Sequence, residues 1–171
     1  MIGWSGCPDA TAENPTVARG WQCALTVPRE LSMRDGKLCQ QPAHEIERMR
    51  GDCVRATGGE TVEEPGRLFD LVVSCEGAKM VELEIRKGVF VRYADGMLTL
   101  DMGDEGYGRD QRSIELSELR DLRVLSDTTM VEIFANGGEA ALTSRTYSPA
   151  VSAMGLHAEG AASMNFYRLV H

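Results

Sequence analysis

Apolar and polar residues alternate along most of this chain, and a period of two marks half-buried strands rather than helices. Residues 21–27 alternate from Trp21 to Val27 and read as a strand. Asp35-Gly36 separates residues 31–34 from 37–40, Asp95-Gly96 separates 89–93 from 97–100, and Asn136-Gly137 separates 130–134 from 140–143. Asp-Gly and Asn-Gly pairs accept the successive positive φ angles of a type I′ turn, whose twist matches that of the flanking strands. Residues 68–74, 81–85, 122–125 and 162–169 add further strands. About ten short strands joined by Gly-rich turns predict an all-β fold, a two-sheet antiparallel β-sandwich with a short N-terminal extended segment.

Helical signals are sparse. Residues 42–50 place Pro42 at a first turn with Ile46 and Met49 on one side, which predicts one or two turns. Residues 114–119 fit a turn of helix or an alternating strand equally well. Residues 57–66, rich in Gly, Thr and Glu, read as an exposed loop. At the start, the apolar stretch Ile2 to Trp4 leads into small polar residues with Pro8 and Pro15, the composition of a linker. The chain therefore divides into a strand and linker at 1–19 and a sandwich module at 20–171. A strand at 2–4 without a neighbour is expected to dock on the sandwich or on a second chain.

Composition narrows the partners. The 171 residues carry a formal net charge of -8, which argues against nucleic acid and against an anionic membrane surface. No apolar run approaches the length of a membrane span, and residues 1–7 lack the basic and apolar regions of a secretory signal. The cysteines at 7, 23, 39, 53 and 75 form an odd set without a CxxC pair, which predicts reduced thiols in a cytoplasmic protein. His44, His157 and His171 are scattered, and Asp101 to Gly106 lacks the alternating oxygen ligands of a calcium loop, so neither metal nor cofactor is expected.

Three segments together carry a resemblance. The first is Ile2-Gly3-Trp4, then Asn14-Pro15-Thr16, then residues 20–31. The second is the hairpin at 31–42. The third runs from Leu122 through Asp127, then 131–139, then Leu142 to Arg145. In this order they resemble glycoside hydrolase family 32, the β-fructofuranosidases. The resemblance implies that residues 1–19 are the last strand of a catalytic propeller with its linker, followed by the family's C-terminal β-sandwich. The positions carrying it are Trp4, Trp21, Asp127, Glu132, Asn136, Gly138 and Arg145, read as framework residues, with Glu132 and Arg145 placed to pair across adjacent strands.

Retaining glycosidases need two carboxyl groups about 5–5.5 Å apart. The resemblance assigns them to propeller motifs that are not matched here. Arg34-Asp35 is followed by Gly36 rather than Pro, and Cys75-Glu76 has the reverse order of the family's Glu-Cys pair. No catalytic residue is assigned. The expected role is a non-catalytic module that contacts a propeller catalytic domain or a second copy of itself. The alternative is a carbohydrate-binding module for fructose-containing saccharides, using aromatics among Trp4, Trp21, Tyr93, Tyr107, Tyr147 and Tyr167, with Trp21 read as a core residue. A third reading, an independent enzyme, would need a carboxylate cluster in a pocket.

Overall fold

The computed structural model describes residues 1–6 and 14–170; the rest of the predicted linker, 7–13, and His171 lie outside the described residues. The strands are β1 (Trp4–Ser5), β2 (Ala24–Leu25), β3 (Arg29–Arg34), β4 (Lys37–Pro42), β5 (Arg50–Thr57), β6 (Thr61–Glu63), β7 (Phe69–Ser74) and β8 (Met80–Arg86). They continue with β9 (Val89–Ala94), β10 (Met97–Asp101), β11 (Gln111–Glu115), β12 (Asp121–Ser126), β13 (Met130–Ala135), β14 (Ala140–Arg145), β15 (Ala153–Glu159) and β16 (Ser163–Leu169). Two six-stranded antiparallel sheets form the sandwich, in the orders β11-β10-β9-β8-β15-β6 and β14-β13-β12-β7-β16-β5.

Alternation sets the packing. Val89, Val91 and Tyr93 of β9 turn inward, as do Leu98 and Leu100 of β10, Leu122 and Val124 of β12, and Val131 and Ile133 of β13. Phe69 and Phe166 stack in the same core, with ring centroids 5.4 Å apart. Each such side chain contributes about 1.5–3 kcal/mol of burial free energy. Asp35-Gly36 and Asp95-Gly96 make the predicted two-residue turns, with φ of 50° and 76° in the first and 50° and 74° in the second. The Asn136 turn is longer than expected. Ala135 pairs with Ala140, so four residues close it, and Asn136, Gly137 and Gly138 all have positive φ.

Several expectations are corrected. The strand predicted at 21–27 shrinks to Ala24–Leu25, because that stretch pairs only with the two-residue β1. Residues 44–49 form a 3₁₀ helix, and of the open choice at 114–119 only Ile114 and Glu115 belong to a strand, the end of β11, while 116–119 are irregular. The loop at 57–66 contains β6, which pairs with β15 at the sheet edge. β5 and β15 escape the alternation pattern because β5 is a largely exposed edge strand and β15 mixes Gly, His and Glu with two buried apolar residues. The lone strand at the start does find a surface. Met1 to Ser5 runs antiparallel to residues 24–29, with Thr26 N donating to Gly3 O at 2.8 Å and Arg29 N donating to Met1 O at 2.7 Å.

One buried charge has no precedent in the pattern. Arg86 ends β8 fully buried, and its guanidinium donates to Ser126 Oγ at 2.7 Å, to Thr128 O at 3.0 Å and to the carbonyl of Asp127. Burial lowers it to about 10, with Arg67 reinforcing the shift, so it stays charged at neutral pH. It ties the end of one sheet to the β12–β13 turn of the other.

The cysteines differ in the same physical terms. Cys75 is buried, and burial, with Asp121 adding to it, pushes the thiol up to about 12. Cys39 is also buried, whereas Cys23 and Cys53 are exposed; these four are free. Native alkylation followed by peptide mass mapping should label Cys23 and Cys53 rapidly and reach Cys39 and Cys75 only on unfolding. Fast labelling of Cys75 in the folded chain would contradict this packing.

Candidate functional site

β13 is buried on both faces. Val131, Ile133 and Ala135 face the core, while Met130, Glu132 and Phe134 face away from it. The outer face is covered by the described part of the leading segment, residues 1–6 and 14–42, through a set of specific contacts. Arg29 Nη2 lies 2.5 Å from Glu132 Oε2, and both side chains are less than a tenth exposed. Val27 N donates to the other carboxylate oxygen at 2.7 Å, and Arg29 also donates to Thr143 Oγ1 at 2.6 Å. The Arg29 guanidinium lies 5.0 Å from the Phe134 ring centre, adding a cation–π contact.

The 136–139 turn forms the second anchor. Gln40 N donates to Gly138 O at 2.9 Å, Arg34 Nη2 to Asn136 O at 2.6 Å, and Gln41 Nε2 to Gly137 O at 2.8 Å. Lys37 pairs with Glu139, whose carboxyl is held below its usual range chiefly by that hydrogen bond. Gly138 has φ of 86°, and a Cβ there would overlap the Gln40 carbonyl and lie 2.9 Å from Gln40 N. Only glycine permits this backbone-to-backbone approach.

The remaining framework residues fall into place around these anchors. Asn136, buried at φ 53°, accepts from Arg120 N at 2.9 Å and donates to Glu118 O at 2.9 Å, pinning the loop before β12. Asp127 lies exposed at the β12–β13 turn, where its carboxylate accepts from Thr128 N at 2.5 Å. Trp4 and Trp21 are 59% and 42% exposed, so Trp21 is not a core residue. Arg145 is buried, donates to Gln22 O at 2.8 Å and to Thr129 O at 3.2 Å, and lies 5.2 Å from the Trp21 ring centre.

The expected Glu132–Arg145 pair does not form. Opposite Glu132 stands Thr143, and Arg145 stands opposite Met130. Each charge turns instead to the leading segment, 103 residues away in the case of Glu132 and Arg29. Arg29 was missed because a basic residue at the head of a hairpin carries no local signal for so distant a partner.

A second buried carboxylate lies on the same outer sheet face. Asp70 is fully buried and receives Arg123 Nη2 at 2.7 Å and Arg50 Nε at 2.7 Å. His44 lies among exposed Glu30 and Glu45, and its hydrogen bond to Glu30 raises its pKa. This is a solvated ion-pair group on the 3₁₀ helix. Of the aromatics weighed for sugar stacking, Trp21 and Tyr147 both lie against Arg145, at 5.2 Å and 5.4 Å, while the others are divided. Tyr93 is buried and donates to Leu116 O at 3.2 Å, Tyr107 packs edge-on against Tyr147 at 5.3 Å, and Tyr167 lies under Arg50 at 4.4 Å. Among the described residues no helix is long and apolar enough to cross a membrane.

Two family models match this chain. "Glycosyl hydrolases family 32 C terminal" matches residues 82–169, and "Glycosyl hydrolases family 32 N-terminal domain" matches residues 1–42. The raffinose invertase of Escherichia coli is 37% identical over 89% of this chain and 34% of its own length. A probable sucrose-6-phosphate hydrolase of Vibrio cholerae is 32% identical over 95% of this chain and 31% of its own length. The chain thus spans about a third of the length of these curated relatives. Among solved structures, sucrose-6-phosphate hydrolase from Lactobacillus gasseri superposes with a TM-score of 0.80 at 22% identity, over 98% of this chain and 38% of that one. A β-fructofuranosidase of Bombyx mori gives 0.78 at 19% identity, over 99% and 38%. Both show the same fold.

Two variants probe the anchors. Glu132→Leu alone leaves Arg29 buried without its partner and should cost about 3–5 kcal/mol in urea unfolding. Adding Arg29→Met should recover part of that loss, and strictly additive costs would exclude the pair as the anchor. Gly138→Ala should cost on the order of 2–3 kcal/mol and speed proteolysis within residues 1–42. Gly36→Ala, at a positive φ but in open space, should cost about 1–2 kcal/mol without that proteolysis.

Proposed function

The chain belongs to glycoside hydrolase family 32, and from that membership we propose that it is a non-catalytic C-terminal β-sandwich module with a structural role. It holds the leading segment, the strand and linker at 1–19 together with the residues up to 42 that the family's N-terminal model also matches, and through it contacts a propeller catalytic domain or a second copy of itself. The observation carrying this reading is the anchoring of that stretch to the sandwich by the Arg29–Glu132 pair and the Gly138–Gln40 backbone contact. The anchored segment leaves Ile2, Trp4, Leu25, Leu31, Met33 and Leu38 exposed. An apolar group of this kind supports the docking of a further protein surface. The free thiols of Cys23, Cys39, Cys53 and Cys75 support placing the protein in the cytoplasm.

The exposure of Trp4 and Trp21 favours one second reading, a carbohydrate-binding module for fructose-containing saccharides. The saccharide class comes from the relatives, an invertase and sucrose-6-phosphate hydrolases by name.

Incubated with sucrose or inulin, the purified chain should release no fructose. Turnover abolished by a single Asp or Glu substitution would overturn the non-catalytic reading. Co-expressed with a family 32 propeller fragment that lacks its own last strand and sandwich, the chain should co-purify with it, and Trp4→Asp should weaken that association. A chain that fails to co-purify yet binds fructans saturably in calorimetry would support the second reading instead.

A further inference from the structure

The edge strands β11 and β14 of the two sheets lie near each other on one side of the sandwich, and β1 of the leading segment runs beside β14. A cavity of about 260 Å³ lies there. Four arginines are among the residues lining it, Arg29, Arg109, Arg112 and Arg145, together with Thr143 and Ser144. No carboxylate lines it among the described residues, although the chain as a whole carries a net charge of -8.

Several donors on the residues that line the cavity are without a partner. Among the described residues, Arg29 Nε, one terminal nitrogen of Arg109, Ser144 Oγ and Arg145 Nη2 are buried without a hydrogen-bond partner. Ser144 and Arg145 are 4% and 2% exposed, so bulk solvent does not reach them readily. Arg145 is meanwhile held in place by the carbonyls of Gln22 and Thr129, and Arg29 by Glu132 and Thr143. Their free N–H groups are therefore fixed in direction. A buried donor left unpaired is destabilising, more so when charged. Four arginines around one cavity, three of them with an unpaired nitrogen, suit a ligand that offers several acceptor oxygens and negative charge.

We propose that this cavity is an oxyanion-binding site, taking a phosphate or carboxylate group between Arg145, Arg109, Arg29 and Ser144. Arg112, more exposed on β11, adds charge at the rim. The proposal stands on the geometry of β11, β14 and the leading segment, and does not depend on the role assigned to the module above. The two sources of such a group are a free or sugar-borne phosphate and a carboxylate side chain of another protein segment.

The test is calorimetric titration of the full chain with inorganic phosphate and, separately, with acetate, at constant ionic strength held with chloride. Saturable binding at one site per chain is expected. Tighter phosphate binding would assign the site to phosphate, and comparable acetate binding would assign it to a carboxylate. Arg109→Gln and Ser144→Ala should each weaken binding about tenfold. Arg55→Gln, on the edge strand β5, should leave it unchanged. Arg109 is the safer probe because its side chain is only partly buried, and circular dichroism would verify its fold. A chain carrying Asp9→Asn and Glu13→Gln, titrated in parallel, has two fewer negative charges and the same lining residues. Absence of saturable binding to either anion in both chains, or affinity unmoved by Arg109→Gln and Ser144→Ala, would overturn the site and leave water as the occupant.

Discussion

A carboxylate on the outward face of a central sheet strand stays buried only while an opposite charge and a set of donors cover it. Glu132 has that position on β13, and Arg29 with the backbone of Val27 supplies the cover. The rest of the leading segment depends on this arrangement. With Arg29 held, β3 and β4 lie across the sheet so that Gln40 meets Gly138 and Arg34 meets the Asn136 carbonyl. Residues 24–29 in turn give Met1 to Ser5 a strand to pair with. The desolvation cost of a buried ion pair is offset here by the additional hydrogen bonds to both members.

The same sheet face shows a repeated device. Asp70 is covered by Arg50 and Arg123 as Glu132 is covered by Arg29. Both carboxylates lie on inner strands of the sheet, β7 and β13, and both recruit guanidinium groups, whose planar forks suit carboxylate oxygens. Arg86 does the reverse at the end of the sandwich, a buried cation satisfied by carbonyls and a hydroxyl. Polar interactions therefore define how layers and segments register, while apolar burial between the sheets supplies the bulk of the cohesion. The consequence for function is that the leading segment and the sandwich form one piece. A surface presented by residues 27–41 is held by contacts from β13, β14 and the turn between them.

The sandwich itself was legible because its information is local. Alternation in β9, β10, β12 and β13 assigns each residue to a face, and Asp-Gly pairs mark the hairpins β3–β4 and β9–β10. The framework positions Glu132, Asn136 and Gly138 were legible as a pattern, through the resemblance they carry. Their partners were not, because Arg29 and Gln40 lie about a hundred residues away and nothing in a single sequence links them. Reading Glu132 with Arg145 failed for a related reason. Strand register is decided by the whole hairpin, and the four-residue turn places Thr143, not Arg145, opposite Glu132.

By itself the sequence determined an all-β sandwich, its main hairpins, the inward faces of its strands and its family, since these rest on period, turn chemistry and short motifs. Tertiary structure decided which charges meet. It brought Arg29 to Glu132, Arg50 and Arg123 to Asp70, and four arginines to one cavity. The physical reason is that an apolar face needs only a neighbouring layer, whereas a buried charge needs a particular partner at hydrogen-bond distance, and that partner is selected by the path of the chain in three dimensions.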